Sequence, residues 1–134
     1  MFKISPINDK SIQEKYAIAC GVKYEPLMFA YSMMNVEDGE LMGFAQFEIE
    51  ERGGYINDLV PRLDYSDFEA MFILGRATMN FIDLCGKHTC YARKSAGDER
   101  LLKCIGFKEI EGADLFADMT GMFDGKCDGH TVTE

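Results

Sequence analysis

The sequence predicts one mixed α/β domain, a central sheet flanked by helices, and three observations carry that prediction. Runs of alternating apolar and polar residues, separated by Gly-containing turns, fill the first half of the chain. A long segment ending near Cys85 then places its apolar residues at helical spacing. Short strand-like runs resume after it, which places a helical crossover between strands.

The elements follow in order. Phe2 to Ser5 reads as a first strand ended by Pro6, and Asp9 or Ser11 can cap a helix running to about Cys20, stopped by Gly21. In that helix Ile12, Tyr16, Ile18 and Ala19 are expected to face the sheet. Leu27 to Val36 is a strand rich in Met, Phe and Tyr, and Asp38-Gly39 supplies a tight hairpin turn. Glu40 to Glu50 returns, with Leu41, Gly43, Ala45, Phe47 and Ile49 on one face and Met42, Phe44, Gln46 and Glu48 on the other. After the turn at Arg52, Gly53 and Gly54, Tyr55 to Val60 completes a three-stranded antiparallel meander that stops at Pro61.

Ser66 and Glu69 have the spacing of a capping box for the long helix, which presents Phe68, Met71, Phe72, Gly75, Met79 and Ile82 on one face and stops at Gly86. His88 to Arg93 is then a parallel strand. Gly97 to Ile105 is a short helix with Leu101, Leu102 and Ile105 inward, followed by strands near Lys108 to Ile110 and Leu115 to Met119. At 134 residues, 47% hydrophobic, the chain can bury a core without staples, so residues 1–134 read as one domain. Residues 118–134 form a tail expected to dock on this domain or on a second copy.

Charge and cysteine usage narrow the function classes. A net charge of −9 with no basic run disfavours nucleic acid and anionic membranes as partners. The N-terminus MFKISPINDK lacks the apolar core of a signal peptide, and five cysteines without a CxxC pair read as reduced, buried thiols. The expectation is a cytoplasmic protein. Cys85, His88 and Cys90, with Cys127 and His130, are soft-ligand types, but they do not form the two compact pairs of a structural zinc site, so no metal is assigned. Cys90 and His88 share a strand face without a third partner, which argues against thiol catalysis. Nine methionines read as adaptable core filling.

The order strand, helix, three antiparallel strands, long helix, strand, short helix and terminal strands resembles the GNAT acyltransferase superfamily over nearly the whole chain. Its local signals are YINDLVPR, residues 55–62, similar to that family's fourth strand, and LLKCIGF, residues 101–107, similar to the segment that opens its later strand. The resemblance implies acetyl-CoA or CoA as cofactor, an amine acceptor, and cofactor-binding positions at Leu59, Val60, Arg62, Ser66 and Asp67. It also implies a base among the strand carboxylates, for which Asp58 and, on the neighbouring strand, Glu48 are the candidates.

Two departures shape the functional expectation. The family's cofactor loop carries an Arg or Gln, two residues, a Gly, one residue, then Gly or Ala; here only Arg62 matches, and no glycine occurs between Tyr55 and Gly75. Asp64, Asp67 and Glu69 instead place carboxylates at the helix start, where a pyrophosphate would bind. Leu102 stands where the family often has a tyrosine able to protonate the departing thiolate. The expected function is therefore a non-catalytic module binding a small molecule or protein. The alternative is a divergent N-acetyltransferase, toward which a splayed strand pair with an open cleft near Val60 would point. Pairing of two copies through a symmetric interface is the alternative to a monomer.

Overall fold

β1 (Phe2–Pro6) opens the chain at the edge of the sheet, where Pro6 is tolerated because an edge strand has one unpaired side. The computed structural model describes residues 1–110, 112 and 114–123. α1 (Lys10–Ala19) begins at Asp9, whose carboxylate accepts from the Ser11 N–H and hydroxyl at 2.9 and 2.7 Å. Its buried residues are Gln13 and Ala17, while Ile12 and Ile18, expected to face inward, are 40% and 67% exposed. The physical reason is polar: Gln13 reaches Gln46 on the sheet and the Glu25 carbonyl, both at 3.0 Å, and that buried bonding fixes the helix rotation.

β2 (Phe29–Asn35), β3 (Leu41–Glu50) and β4 (Gly53–Pro61) form the expected antiparallel meander, turned at Gly39 with φ 72°. Two register shifts change its faces. Met33 pairs with Gly43 and Met34 with Leu41, so Met42 is an extra residue. Leu41 consequently joins Phe44, Ala17, Cys20 and Ala30 on the α1 side, and not Gly43, Ala45 and Phe47 as strict alternation predicts. On β4, Phe47 pairs with Ile56 and Gln46 with Asp58, leaving Asn57 as the bulged residue.

α2 (Phe68–Leu84) crosses the opposite face and buries Met71, Leu74, Gly75, Met79 and Ile82 against it. Its cap is Asp67, not the Ser66–Glu69 capping box: an Asp67 oxygen accepts from Ala70 N–H at 3.0 Å. A Cβ at Gly75 would come within 2.8 Å of Ile105 and 2.9 Å of Leu59, so the missing side chain lets helix and sheet approach closely. β5 (Thr89–Arg93) lies parallel to β4 as expected, then α3 (Glu99–Ile105) buries Leu101, Leu102 and Ile105. β6 (Lys108–Glu109) and β7 (Asp114–Asp118) close a seven-stranded sheet of order β1-β2-β3-β4-β5-β7-β6. Met122 and Phe123 pack against the larger core cluster of their own chain; the rest of the expected tail, residues 124–134, lies outside the described residues. No helix among the described residues is long and apolar enough to cross a membrane.

Candidate functional site: a crevice where two parallel strands part

The parallel strands β4 and β5 stay paired only from Gly54–Cys90 to Ile56–Ala92. Beyond Ile56 the Asn57 bulge turns β4 away, and the two strands part. The segment Lys94–Asp98, which leads from β5 to α3, lies across that parting. Leu59 N–H donates to the Ala96 carbonyl at 2.7 Å. Gly97 sits so close that a Cβ there would collide with the Leu59 carbonyl oxygen. Two residues further along the same edge, Pro61 has no N–H to offer.

Beside this edge lies a crevice of about 340 Å³. Leu59, Pro61, Phe68, Met71 and Leu101 supply its apolar walls, and Ser66, Asp67, Asp98 and Arg100 its polar lining. The two aspartates are helix caps: Asp67 also accepts from the Tyr65 hydroxyl at 3.2 Å, and Asp98 accepts from Leu101 N–H at 3.1 Å. Each therefore occupies donors that a bound anion would use. Arg100 stacks its guanidinium 4.2 Å from the Phe68 ring centroid. Of the positions assigned by resemblance, Leu59, Ser66 and Asp67 line the crevice; Val60 packs with the α1-side cluster. Arg62 is committed elsewhere, to Asp64 at 2.6 Å, the Leu41 carbonyl at 2.8 Å and Glu40 at 3.5 Å. Its hydrogen bond to Asp64 raises the guanidinium above its ordinary value and lowers the carboxylate below its own.

The two candidate bases separate sharply. Asp58 is 1% exposed. One carboxylate oxygen accepts from Gln46 and Asn57, both at 2.8 Å, and the other from Arg93 at 3.0 Å. With Gln13–Gln46 behind it, this is a closed hydrogen-bond network joining α1 to the sheet, and the carboxylate is not free to meet an amine. Glu48, opposite Tyr55 across β3 and β4, is half-buried. Burial first, then the charge and hydrogen bonding of Glu50 and the charge of Glu25, push its carboxyl above the ordinary range, which makes it a stronger base once ionised. Sequence reasoning missed Gln13, Gln46, Arg93 and the Ala96–Gly97 segment. Only Asp98, directly before a helical run, carried a local signal.

Among the described residues, no three His, Cys, Asp or Glu side chains are grouped to hold a metal ion. Cys90 is fully buried, and burial pushes its thiol up to about 12, whereas Cys85 is exposed. His88 Nδ1 lies 2.6 Å from an Asp83 oxygen. Cys127 and His130 lie outside the described residues.

The mixed seven-stranded sheet flanked by helices, with a meander before its two parallel strands and a crossover helix between them, matches the fold of solved GNAT N-acetyltransferases. Solved structures of that group share it, at identities that establish the fold alone. A chain of the NatC complex, solved with Gag peptide and CoA, superposes with a TM-score of 0.65 at 12% identity over 87% of this chain and 98% of that one. The ribosomal-protein-S18-alanine N-acetyltransferase of Escherichia coli gives 0.63 at 14% identity, over 87% and 90%. The PaiA N-acetyltransferase of Thermoplasma acidophilum, solved with coenzyme A, gives 0.54 at 13% identity over 80% of this chain, which spans 64% of that chain's length. No protein-family model and no curated protein matches the sequence.

Proposed function

We propose that this chain is a divergent N-acetyltransferase that takes an acetyl-CoA thioester into the crevice between β4, α2 and α3. The observation that carries the reading is the parting of β4 and β5 beside a crevice of about 340 Å³, in a fold whose solved neighbours include proteins crystallised with CoA. When bound, acetyl-CoA supplies an acetyl group whose carbonyl carbon accepts the amine nitrogen as the carbon–sulfur bond breaks. Leu59, Phe68 and Met71 would line the arm of the cofactor and exclude water. Arg100 is the cation at the rim that can face a phosphate. Glu48 pairs with Tyr55 and faces away from the crevice, so it would take the proton released by the amine through water, with the amine approaching from that face of the sheet. Leu102 is fully buried and has no proton to give, so protonation of the thiolate falls to that same proton or to solvent.

A second reading, a binding module without transfer, is favoured by a specific observation. Leu59 N–H is already bonded, Pro61 offers none, and Asp67 and Asp98 hold the helix-start donors, so shape suits the cofactor's arm better than charge suits its pyrophosphate. Titration calorimetry of the whole chain with acetyl-CoA and with free CoA separates the two readings. Micromolar binding, together with amine-dependent thiol release that Glu48→Gln lowers at least about tenfold, supports the transferase. No heat at millimolar ligand removes it and leaves the binding module.

A further inference from the structure

We propose that Lys94–Asp98 is a strap that closes the parting between β4 and β5, and that an acyl-pantetheine arm enters by displacing it from Leu59. The inference rests on the cofactor reading above and adds a gate to it. The strap is a turn and bend that meets the β4 edge through one hydrogen bond, in which Ala96 offers its carbonyl to Leu59 N–H as a bound extended chain would. A pantetheine arm carries secondary amides of the same chemistry and can replace that carbonyl as the acceptor of Leu59 N–H.

The strap is lightly held. Lys94, Ser95 and Asp98 are exposed. The turn at its start is closed by Ala96 N–H donating to the Arg93 carbonyl at 2.9 Å. Across the parting, the strap itself is held by the Leu59–Ala96 hydrogen bond and the buried Ala96 methyl group, while Arg93 at its base donates to the Asn57 carbonyl at 3.2 Å and to Asp58 at 3.0 Å. Gly97 permits the closed position, because any side chain there would meet the Leu59 carbonyl. Leu59 is thus common to the strap and to the crevice wall, so one backbone edge serves two competing occupants.

A closed strap taxes ligand affinity by the fraction of molecules that are open, and loosening it should return that factor. The test compares wild type, Gly97→Ala and Ala96→Gly by amide hydrogen exchange at Leu59 and by calorimetry with acetyl-CoA. Gly97→Ala forces the strap outward, whereas Ala96→Gly removes its anchoring methyl without adding an atom, so the outcome does not depend on one variant folding. The expected result is Leu59 exchange accelerated about tenfold with Ile56 unchanged, and acetyl-CoA bound about tenfold more tightly. If wild type binds acetyl-CoA and both variants bind it equally, the strap is no gate and this inference alone fails. If Leu59 is deprotected in the variants and none of the three proteins binds acetyl-CoA, the cofactor reading fails and the strap proposal with it.

Discussion

Replacing Asp58 with Asn decides whether the best-placed carboxylate of β4 is a base or a structural anchor. The side chain keeps its shape but loses its charge, and one acceptor oxygen becomes a donor inside a site that supplies only donors: Gln46 and Asn57 at 2.8 Å and Arg93 at 3.0 Å. Hydrogen bonds to a charged acceptor are each worth about 1.5–3 kcal/mol; the Asn NH2 replaces either the oxygen that faces Arg93 or the one that faces Gln46 and Asn57, so one or two bonds become donor against donor and the rest lose their charge. The Arg93 side chain is 44% exposed, so its loss adds little. The expected cost is about 3 kcal/mol. An unfolding entropy of roughly 2 cal/mol/K per residue over the 134-residue chain converts this to a fall in Tm of about 10 °C. Calorimetric melting of Asp58→Asn beside Glu48→Gln, which should shift Tm by no more than about 2 °C, is the assay. An unchanged Tm for Asp58→Asn with transfer abolished would refute the anchoring argument and return the base to Asp58.

Three further outcomes follow from packing and burial. Cys90, with its thiol raised to about 12 by burial, should resist alkylation of the native protein at pH 8 while exposed Cys85 and Cys104 react; mass mapping of labelled peptides reads this. The same shift makes stability depend on pH. Below about pH 9 the thiol is protonated in both states and its contribution is intact; between about 9 and 12 only the unfolded chain ionises, so stability falls by up to about 1.4 kcal/mol per pH unit. Cys90→Ala should reduce that slope in denaturant titrations, and Cys20, also raised to about 12 by burial, should sustain the remainder. Gly75→Val should cost about 1–3 kcal/mol by pushing α2 off Leu59 and Ile105, and an undiminished urea midpoint would show that the helix can shift freely.

The sequence by itself determined the local features. The meander and its turn at Gly39, the burial of Met71, Gly75, Met79 and Ile82 on α2 and the inward Leu101, Leu102 and Ile105 follow from period and turn chemistry, which act over a few residues, whereas Phe68 and Phe72 are half-buried and Leu74 is buried in their stead. The element order carried the resemblance to GNAT folds, and Asp67 was legible as an acidic residue at the helix start. Which residue caps that helix was not, because Ser66, Asp67 and Glu69 offer competing oxygens and only the geometry selects among them. Periodicity also misoriented α1, since Gln13 outweighs Ile12 and Ile18 only once Gln46 from β3 stands beneath it.

The rest was decided by tertiary structure. β7 lies between β5 and β6, the Asn57 bulge parts β4 from β5, and Ala96 pairs with Leu59 from 37 residues away in the chain. Asp58 reads locally as an ordinary strand carboxylate, yet Gln46, Asn57 and Arg93 close over it from three stretches of sequence. Such contacts depend on which strands become neighbours and on where a bulge breaks the pairing. Those choices are settled by the packing of the whole sheet between α1 and α2, and no local spacing in the sequence records them.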